Sequence, residues 1–339
     1  MQLPILINCK WQTSVRITGV QRYASELMNE LTKTQFPFDC VKPESGSIWK
    51  SNYWEQIRLP VIARNYDTLY CPANSAPLML PKKIRLILTI HCLRFRSHPE
   101  SYSRPFNAWY RFMIPKIITR AETIITVSKT TADEIQNTYP RARGKVKVIY
   151  PGVSRTFTTK GPTRDQLIPP GPYMVYIGNI TPAKNLAVLL KAMKISHHPH
   201  RLILLGINKQ QLTSMTGSTP NDKIVPLGHI NDPNRIAAIL RGANALLSPS
   251  LYESYDLPTV EAMSCGCPVI ASDTKVHREI GKNAPVFVPP HDAEHWATAI
   301  DQLARNTEIT KDRRQSGIAR ASEFRWDQTA AEIMEIFRN

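Results

Sequence analysis

Residues 173–193, YMVYIGNITPAKNLAVLLKAM, decide the fold. Tyr173–Ile177 is an unbroken apolar run of strand length, the pattern of a strand buried on both faces. Gly178–Ala183 contains the glycine and proline of a turn, and Lys184–Met193 has the composition and spacing of a helix. The same grammar recurs downstream. Leu202–Leu205 is a strand ending in Gly206, Ile224–Leu227 one ending in Gly228, and Ile236–Leu240 belongs to a helix. Ala245–Ser248, Val260–Ser264 and Pro268–Ala271 then read as strand, helix and strand. Short apolar strands alternating with helices predict a parallel sheet covered on both faces.

Upstream the alternation appears again. Leu3–Asn8 is a first strand, and a helix runs from Gly19-Val20 through Leu31 with Val20, Tyr23, Leu27 and Leu31 on one stripe. Pro43–Ser51 is a polar loop. Arg85–His91 is a buried-type strand closing on His91, and a residue at the C-terminal end of such a strand faces the crevice of an α/β sheet. A structural histidine is the alternative there. Arg104–Thr119 is basic and aromatic. Glu122–Val127 is a strand closing on Ser128-Lys129-Thr130-Thr131, a helix start. After Val146–Tyr150 and Pro151-Gly152-Val153 comes Thr158–Gly171, rich in Pro, Gly, Thr and charge, which reads as a linker between two domains, 1–160 and 161–322. Ala321–Phe337 is helical in pattern and contains Trp326.

With 339 residues, 42% apolar and 21% charged, the chain is long enough for two cores and too apolar for wholesale disorder. Residues 1–155 carry 23 Lys and Arg against 10 Asp and Glu, and residues 156–339 carry 20 against 17. Partners of the first part are therefore expected to be anionic: nucleic acid, a phosphorylated acceptor or a lipid surface. A basic surface that only confers solubility is the alternative. The six cysteines form neither a disulfide scaffold nor a CxxC pair. Cys265-Gly266-Cys267 reads as buried thiols, and a reducing compartment fits. MQLPILINCKWQ reads as a strand, not an export signal, and residues 85–93 are too short to span a bilayer, so any membrane contact is expected to be peripheral.

Two constellations could carry chemistry. Gly178 permits close approach of backbone to a ligand, and the helix after it would direct N–H groups, with Lys184, at an anion such as a diphosphate. A surface turn and a surface lysine account for that pair equally well. The second is Ser250–Pro268, in which Glu253 lies in a loop and Glu261 in the first turn of the next helix, beyond Pro258. A carboxylate there can cap N–H groups or accept both hydroxyls of a ribose. Taken alone, the two glutamates read as solvent-facing.

Taken whole, that segment resembles the signature of the retaining nucleotide-sugar glycosyltransferases of family 4, approximately P-S-x-x-E-G-F-G-L-P-x-x-E-A-M-A-C-G-x-P-V-I-A-S. Pro249, Ser250, Glu253, Leu257, Pro258, Glu261, Ala262, Met263, Cys265, Gly266 and Pro268 through Ser272 match. Further similarity covers nearly the full chain: Arg16-x-x-Gly19-Val20-x-Arg22-Tyr23, the strand ending at His91, Ile125–Ser128, Tyr150–Val153, Tyr176–Asn179, Lys184-Asn185-Leu186 and Phe324-x-Trp326. The resemblance implies the α/β GT-B architecture, two doubly wound Rossmann-like domains facing across a cleft, with 323–339 a C-terminal helix packing back on the first domain and Trp326 a packing anchor. It implies catalytic roles for His91, Glu253 and Lys184. Donor binding falls to Gly19, Gly178, Asn179, Lys184, Ser254, Tyr255, Asp256, Leu257 and Glu261, with the diphosphate against Lys184, the sugar hydroxyls near Glu253 and the ribose on Glu261. Ser128 helps close the first-domain side.

Three departures stand out. Asn179 replaces a frequent Arg, Cys92 a frequent Asp after the histidine, and Ser254-Tyr255-Asp256 the Gly-Phe-Gly loop. Asp256 either repels a phosphate or points away and holds the loop. A same-face transfer is expected, and with no Asp-x-Asp motif or His/Cys cluster of ligand spacing in the sequence no tightly bound or essential metal is expected. The resemblance further implies as acceptor a lipid-diphosphate-linked saccharide of surface polysaccharide (O-antigen-type) assembly at the anionic inner face of the cytoplasmic membrane. The IGNITPAKNL stretch is similar to that of mannosyltransferases that use GDP-mannose; a UDP-sugar donor is the alternative, since the scaffold accepts several nucleotide-sugars. Trp109–Lys116 offers apolar and cationic groups either to a membrane or to the first-domain core. Rival readings are a nucleotide-sugar epimerase, a non-catalytic nucleotide-sugar sensor and a nucleic-acid-binding protein. No nucleic acid is expected, because no zinc finger or RNA-binding aromatic motif is present.

Overall fold

A computed structural model describes residues 5–13, 18–44, 47–219 and 221–339, so Leu3 and Arg16 lie outside the described residues. The first sheet contains β1 (Ile5–Asn8), β2 (Phe38–Val41), β3 (Thr68–Cys71), β4 (Arg85–Thr89), β5 (Thr123–Thr126) and β6 (Val146–Val148). The second contains β7 (Tyr173–Ile177), β8 (Arg201–Leu205), β9 (Ile224–Gly228), β10 (Leu246–Ser248), β11 (Val269–Ser272) and β12 (Val286–Val288). All pairings are parallel, in the orders β2-β1-β3-β4-β5-β6 and β12-β11-β10-β7-β8-β9. Two Rossmann-like domains of the GT-B type result. The chain divides into unit 1, Met1–Gly152 with Arg325–Asn339, and unit 2, Val153–Phe324.

The strand orders locate the crevices. In unit 1 the connections reverse between β1 and β3, and in unit 2 between β7 and β10. Loops leaving neighbouring strands in opposite directions open a gap at the strands' C-terminal edge, where a ligand can sit.

The central strands of each sheet are buried on both faces because they are apolar, while the edge strands β2, β6 and β9 are partly exposed. In unit 1, Leu6, Leu69, Leu86, Leu88 and Ile124 pack with Met113, Ile114, Ile117 and Ile118 from the helix Arg104–Arg120. The predicted 109–116 segment thus turns part of its apolar face into this core. In unit 2, Met174, Leu202, Leu204, Leu247 and Ile270 surround Leu189 and Trp296. The helix Trp326–Arg338 belongs to unit 1: Trp326 meets Tyr23 edge-on at 5.5 Å, Thr329 Oγ1 donates to the Tyr150 carbonyl at 2.8 Å, and Arg85 Nη2 donates to the Ile336 carbonyl at 2.6 Å.

Several sequence expectations need correction. The continuous helix expected over Ala321–Phe337 is two, Thr307–Ala321 and Trp326–Arg338; between them the Phe324 carbonyl accepts from Val153 N at 3.1 Å, a bond that takes it out of any helix. The Pro43–Ser51 loop becomes helical from Ile48. β2, β3 and β12 went unread, β2 because it is a half-exposed edge strand containing Asp39. The reading of the cysteines as thiols in a reducing compartment did not include a disulfide, yet Cys9 and Cys40 are joined by one, with Cα atoms 5.9 Å apart. Parallel pairing of β1 with β2 brings together residues 31 apart in sequence.

Candidate active site

The crevice of unit 2 is built from the turn after β7 and the loop after β10. At Gly178 a Cβ would come within 2.7 Å of the Tyr176 hydroxyl, which donates to the Asn179 carbonyl at 3.0 Å. Burial, the main influence, holds the Tyr176 hydroxyl far above the ordinary phenol range, so it stays a donor. Lys184 lies in a 3-10 turn, Pro182–Lys184, and the α-helix expected from Lys184 begins at Leu186. Between them Asn185 adopts a left-handed φ of 48° and ties the two loops, its Nδ2 donating to the carbonyls of Pro249 at 3.1 Å and Pro290 at 2.7 Å. Leu251 N donates to the Ala183 carbonyl at 2.8 Å. These ties bring Lys184 Nζ onto Glu253 Oε1, a direct ion pair of two largely buried side chains.

The replaced loop is held by its own side chains. Tyr255 is buried, with its ring edge-on to Phe324 at 5.7 Å, while Ser254 is half-buried. Asp256 has a left-handed φ of 65° and is N-cap of the helix Leu257–Ser264. Its Oδ2 accepts from Ser248 Oγ at 2.8 Å and Thr259 Oγ1 at 2.5 Å, and lies 3.1 Å from His277 Nε2. His277 Nδ1 faces the Ser272 carbonyl at 2.8 Å. With an acceptor at each nitrogen, the ring has partners for two protons only as imidazolium. Burial disfavours that charge but is outweighed by the hydrogen bond and attraction of Asp256, so the His277 pKa lies above its ordinary value. Burial likewise disfavours the Asp256 carboxylate, and His277, Lys184 and Thr259 together pull its pKa well below the ordinary range. Leu257 is half-buried. Glu261 is buried and is the fifth residue of its helix, one turn further in than the sequence predicted, because the helix starts ahead of Pro258.

The remaining predicted residues lie in unit 1, beyond the C-terminal ends of β1, β4 and β5. His91, two residues beyond β4, is buried, its Nε2 2.8 Å from the Pro72 carbonyl and its ring edge-on to Tyr23 at 4.6 Å. Burial lowers its pKa to about 4 against the opposing effect of the Pro72 bond, so it is a neutral imidazole at pH 7. Gly19 opens the helix Gly19–Leu31 at an exposed position, and Ser128 caps the helix Lys129–Thr138 by accepting from Thr131 N at 3.1 Å.

Comparison with known proteins gives these arrangements a context. Residues 163–320 match the family described as "Glycosyl transferases group 1", and residues 17–157 match "Glycosyltransferase Family 4". The O-antigen chain mannosyltransferase RfbU of Salmonella typhimurium is 26% identical over 258 residues, which cover 74% of this chain and 69% of that protein. Among solved structures, sucrose-phosphate synthase from Thermosynechococcus elongatus superposes with a TM-score of 0.78 at 18% identity, covering 99% of this chain and 98% of that one. HepE from Anabaena, in complex with UDP and glucose, superposes with a TM-score of 0.75 at 18% identity, covering 99% and 100%.

The chain is a GT-B glycosyltransferase.

In this glycosyltransferase the two switch points hold residues of unequal legibility. Sequence reasoning singled out Gly178, Lys184, Glu253, Asp256 and Glu261, which the fold gathers around the β7/β10 crevice, but it missed His277. It also missed the polar cluster between β1 and β3. There buried Glu55 accepts from Asn8 Nδ2 at 2.8 Å and Ser75 Oγ at 2.7 Å through Oε1, and from Lys10 Nζ at 2.8 Å through Oε2. The available signal was Asn8, a polar residue ending an apolar strand. Among the described residues no group of three or more His, Cys, Asp or Glu is placed to hold a metal ion, and no helix is long and apolar enough to cross a membrane.

Proposed function

We propose that this enzyme is a retaining hexosyltransferase of surface-polysaccharide assembly, with its nucleotide-sugar donor seated at the β7/β10 crevice and a lipid-diphosphate-linked saccharide as acceptor. The observation that carries the donor site is the Lys184–Glu253 pair beside the constricted Gly178 turn. A cation next to a glycine turn suits a diphosphate, and a carboxylate beside it suits sugar hydroxyls. On donor binding Lys184 exchanges Glu253 for phosphate oxygens, and Glu253 exchanges Lys184 for hydroxyls of the sugar. Gly178, Asn179 and the backbone of Ser254–Leu257 approach the diphosphate; the Asp256 carboxylate, engaged by His277, is drawn away from it. Glu261 receives the ribose.

In the transfer, the bond from the sugar's anomeric carbon to the phosphate oxygen breaks, and one to the acceptor oxygen forms on the same face. The acceptor proton passes to the leaving phosphate. Lys184 stabilises the charge developing on that phosphate. Within unit 1, His91 offers a neutral hydrogen-bonding ring at the end of its strand.

For the donor, a UDP-sugar is the first reading, because HepE, a solved structure of similar fold, holds UDP. GDP-mannose is the second, favoured by RfbU being a mannosyltransferase. Calorimetric titration with UDP, GDP and their sugars, repeated on Glu261→Ala and Lys184→Ala, tests both. Selective binding of one nucleotide series, weakened at least tenfold in each variant, is expected. Binding of UDP-sugars alone removes the mannose reading, and binding of GDP-mannose alone removes the UDP one. No binding in either series overturns the proposal.

A further inference from the structure

The helical run Ile48–Asn65 in unit 1 has an inverted surface. It passes from an α-helix (Ile48–Tyr53) through a π-helical turn (Trp54–Arg58) to Leu59–Ile62 and a 3-10 turn ending at Asn65. Ser51, Glu55, Leu59 and Ala63 are buried, while on the opposite face Trp49, Tyr53, Ile57 and Val61 are 81%, 64%, 51% and 55% exposed. A four-residue step overshoots an α-helical turn by about 40°. The wider π-helical turn in the middle under-rotates and keeps the four side chains in one line. Met79, 83% exposed, sits in a loop bound to the same helix through Gln56, whose Oε1 accepts from Leu78 N at 2.9 Å and whose Nε2 donates to the Ala76 carbonyl at 3.2 Å.

The exposed charges on the helical run itself have one sign, with exposed Asp67 and Asp39 lying past its end at Tyr66. Lys50, Arg58 and Arg64 are exposed on the helix and Lys82 and Lys83 beyond Met79, whereas Glu55, the sole carboxylate from Ile48 to Tyr66, is buried against Lys10. Unit 1 as a whole carries 24 Lys and Arg against 13 Asp and Glu.

We propose that this face seats unit 1 on an anionic lipid bilayer, with Trp49, Tyr53, Ile57, Val61 and Met79 in the headgroup boundary and the basic residues on lipid phosphates. A tryptophan and a tyrosine leading an apolar stripe with a cationic rim match the chemistry of that boundary. A second copy of the chain fits less well, because a two-fold contact would set Lys50, Arg58 and Arg64 close to like charges. The inner side of the same helix holds Asn8 and Lys10 through Glu55 at the β1/β3 switch point, so seating it brings that crevice to the headgroup layer. The inference rests, in this last step, on the reading of a lipid-borne acceptor.

The test is flotation of the full chain with vesicles of phosphatidylcholine alone or mixed with phosphatidylglycerol. The wild type is expected to float with the mixed vesicles and to be released by salt. The triple variant Trp49→Ser, Tyr53→Ser, Ile57→Ser is expected to lose at least about tenfold in vesicle affinity. Lys50→Glu, Arg58→Glu, Arg64→Glu is expected to lose the preference for phosphatidylglycerol. Phe112→Ser, an exposed aromatic on another helix, should float like the wild type. A wild type that stays with neither vesicle overturns the proposal, as does a serine variant that floats unchanged. A stripe mutation that turns a dimer into a monomer without altering flotation would assign the face to a second copy instead. Nucleotide titration on the same samples keeps the two proposals separable: flotation without nucleotide binding removes the glycosyl-transfer site, and nucleotide binding without flotation removes the lipid surface.

Discussion

At the scale of single residues, Asp256 and His277 carry the sharpest departure from the family loop. Both are buried, so deleting one leaves the other as a buried charge without its counterion, which typically costs 3–5 kcal/mol. His277→Gln is therefore expected to lower the unfolding free energy by an amount of that order, read as a lower urea midpoint by tryptophan fluorescence. The pH dependence follows from the two shifts. The raised His277 pKa contributes stability that is complete below its unfolded value, near 6.5, and is lost as pH rises through the folded value. The lowered Asp256 pKa contributes stability present above its unfolded value, near 3.9, and lost as pH falls through the folded one. The stability difference between wild type and His277→Gln should thus be largest between about pH 4 and 6.5 and should shrink toward pH 9; a difference that grows with pH would overturn the charged pair. Sequence reasoning identified Asp256 as a replaced glycine and left two directions for its side chain. The partner that chooses between them comes from the helix Lys275–Gly281, after the next strand, and no local pattern marks it.

At the scale of elements, two close approaches decide how loops and helices join. A Cβ at Gly152 would lie 2.1 Å from Trp326 N, a backbone atom that cannot swing aside. Gly152→Ala is expected to displace the start of the helix Trp326–Arg338 and to lower the melting temperature more than Gly144→Ala, whose Cβ would meet nothing within 4 Å though its backbone has φ 80°. Equal effects of the two would show that the helix start adjusts freely. Truncation after Phe324 removes Trp326, Ile333 and Phe337, each worth about 1.5–3 kcal/mol when fully buried. Unit 1 should then lose protection from limited proteolysis while fragments within Val153–Phe324 persist. The sequence made this helix legible as a pattern, but its break at residues 322–325 was not, because the bond from Val153 that stops it comes from far away in the chain.

At the scale of the whole molecule, two units with separate cores predict unfolding in more than one step. A donor nucleotide bound to unit 2 should stabilise only that unit, by about 2.7 kcal/mol at a hundredfold excess over Kd, and so raise only its transition temperature. Calorimetric scans with and without nucleotide check this, and a shift confined to the other transition would move the donor site out of the β7/β10 crevice. What the sequence determined by itself was the alternation of short apolar strands with helices, the two doubly wound halves, and the Pro249–Ser272 signature. Those are local: periodicity and turn residues act over a few positions, within reach of one-dimensional reading. Tertiary structure alone decided the Cys9–Cys40 bond, the Asn8–Glu55–Lys10 cluster, the Lys184–Glu253 and Asp256–His277 pairs, and which face of the helical run at residues 48–65 stays in solvent. Each needs side chains from distant strands and loops to converge at a sheet edge, and only the order of the strands in the sheet sets which ones do.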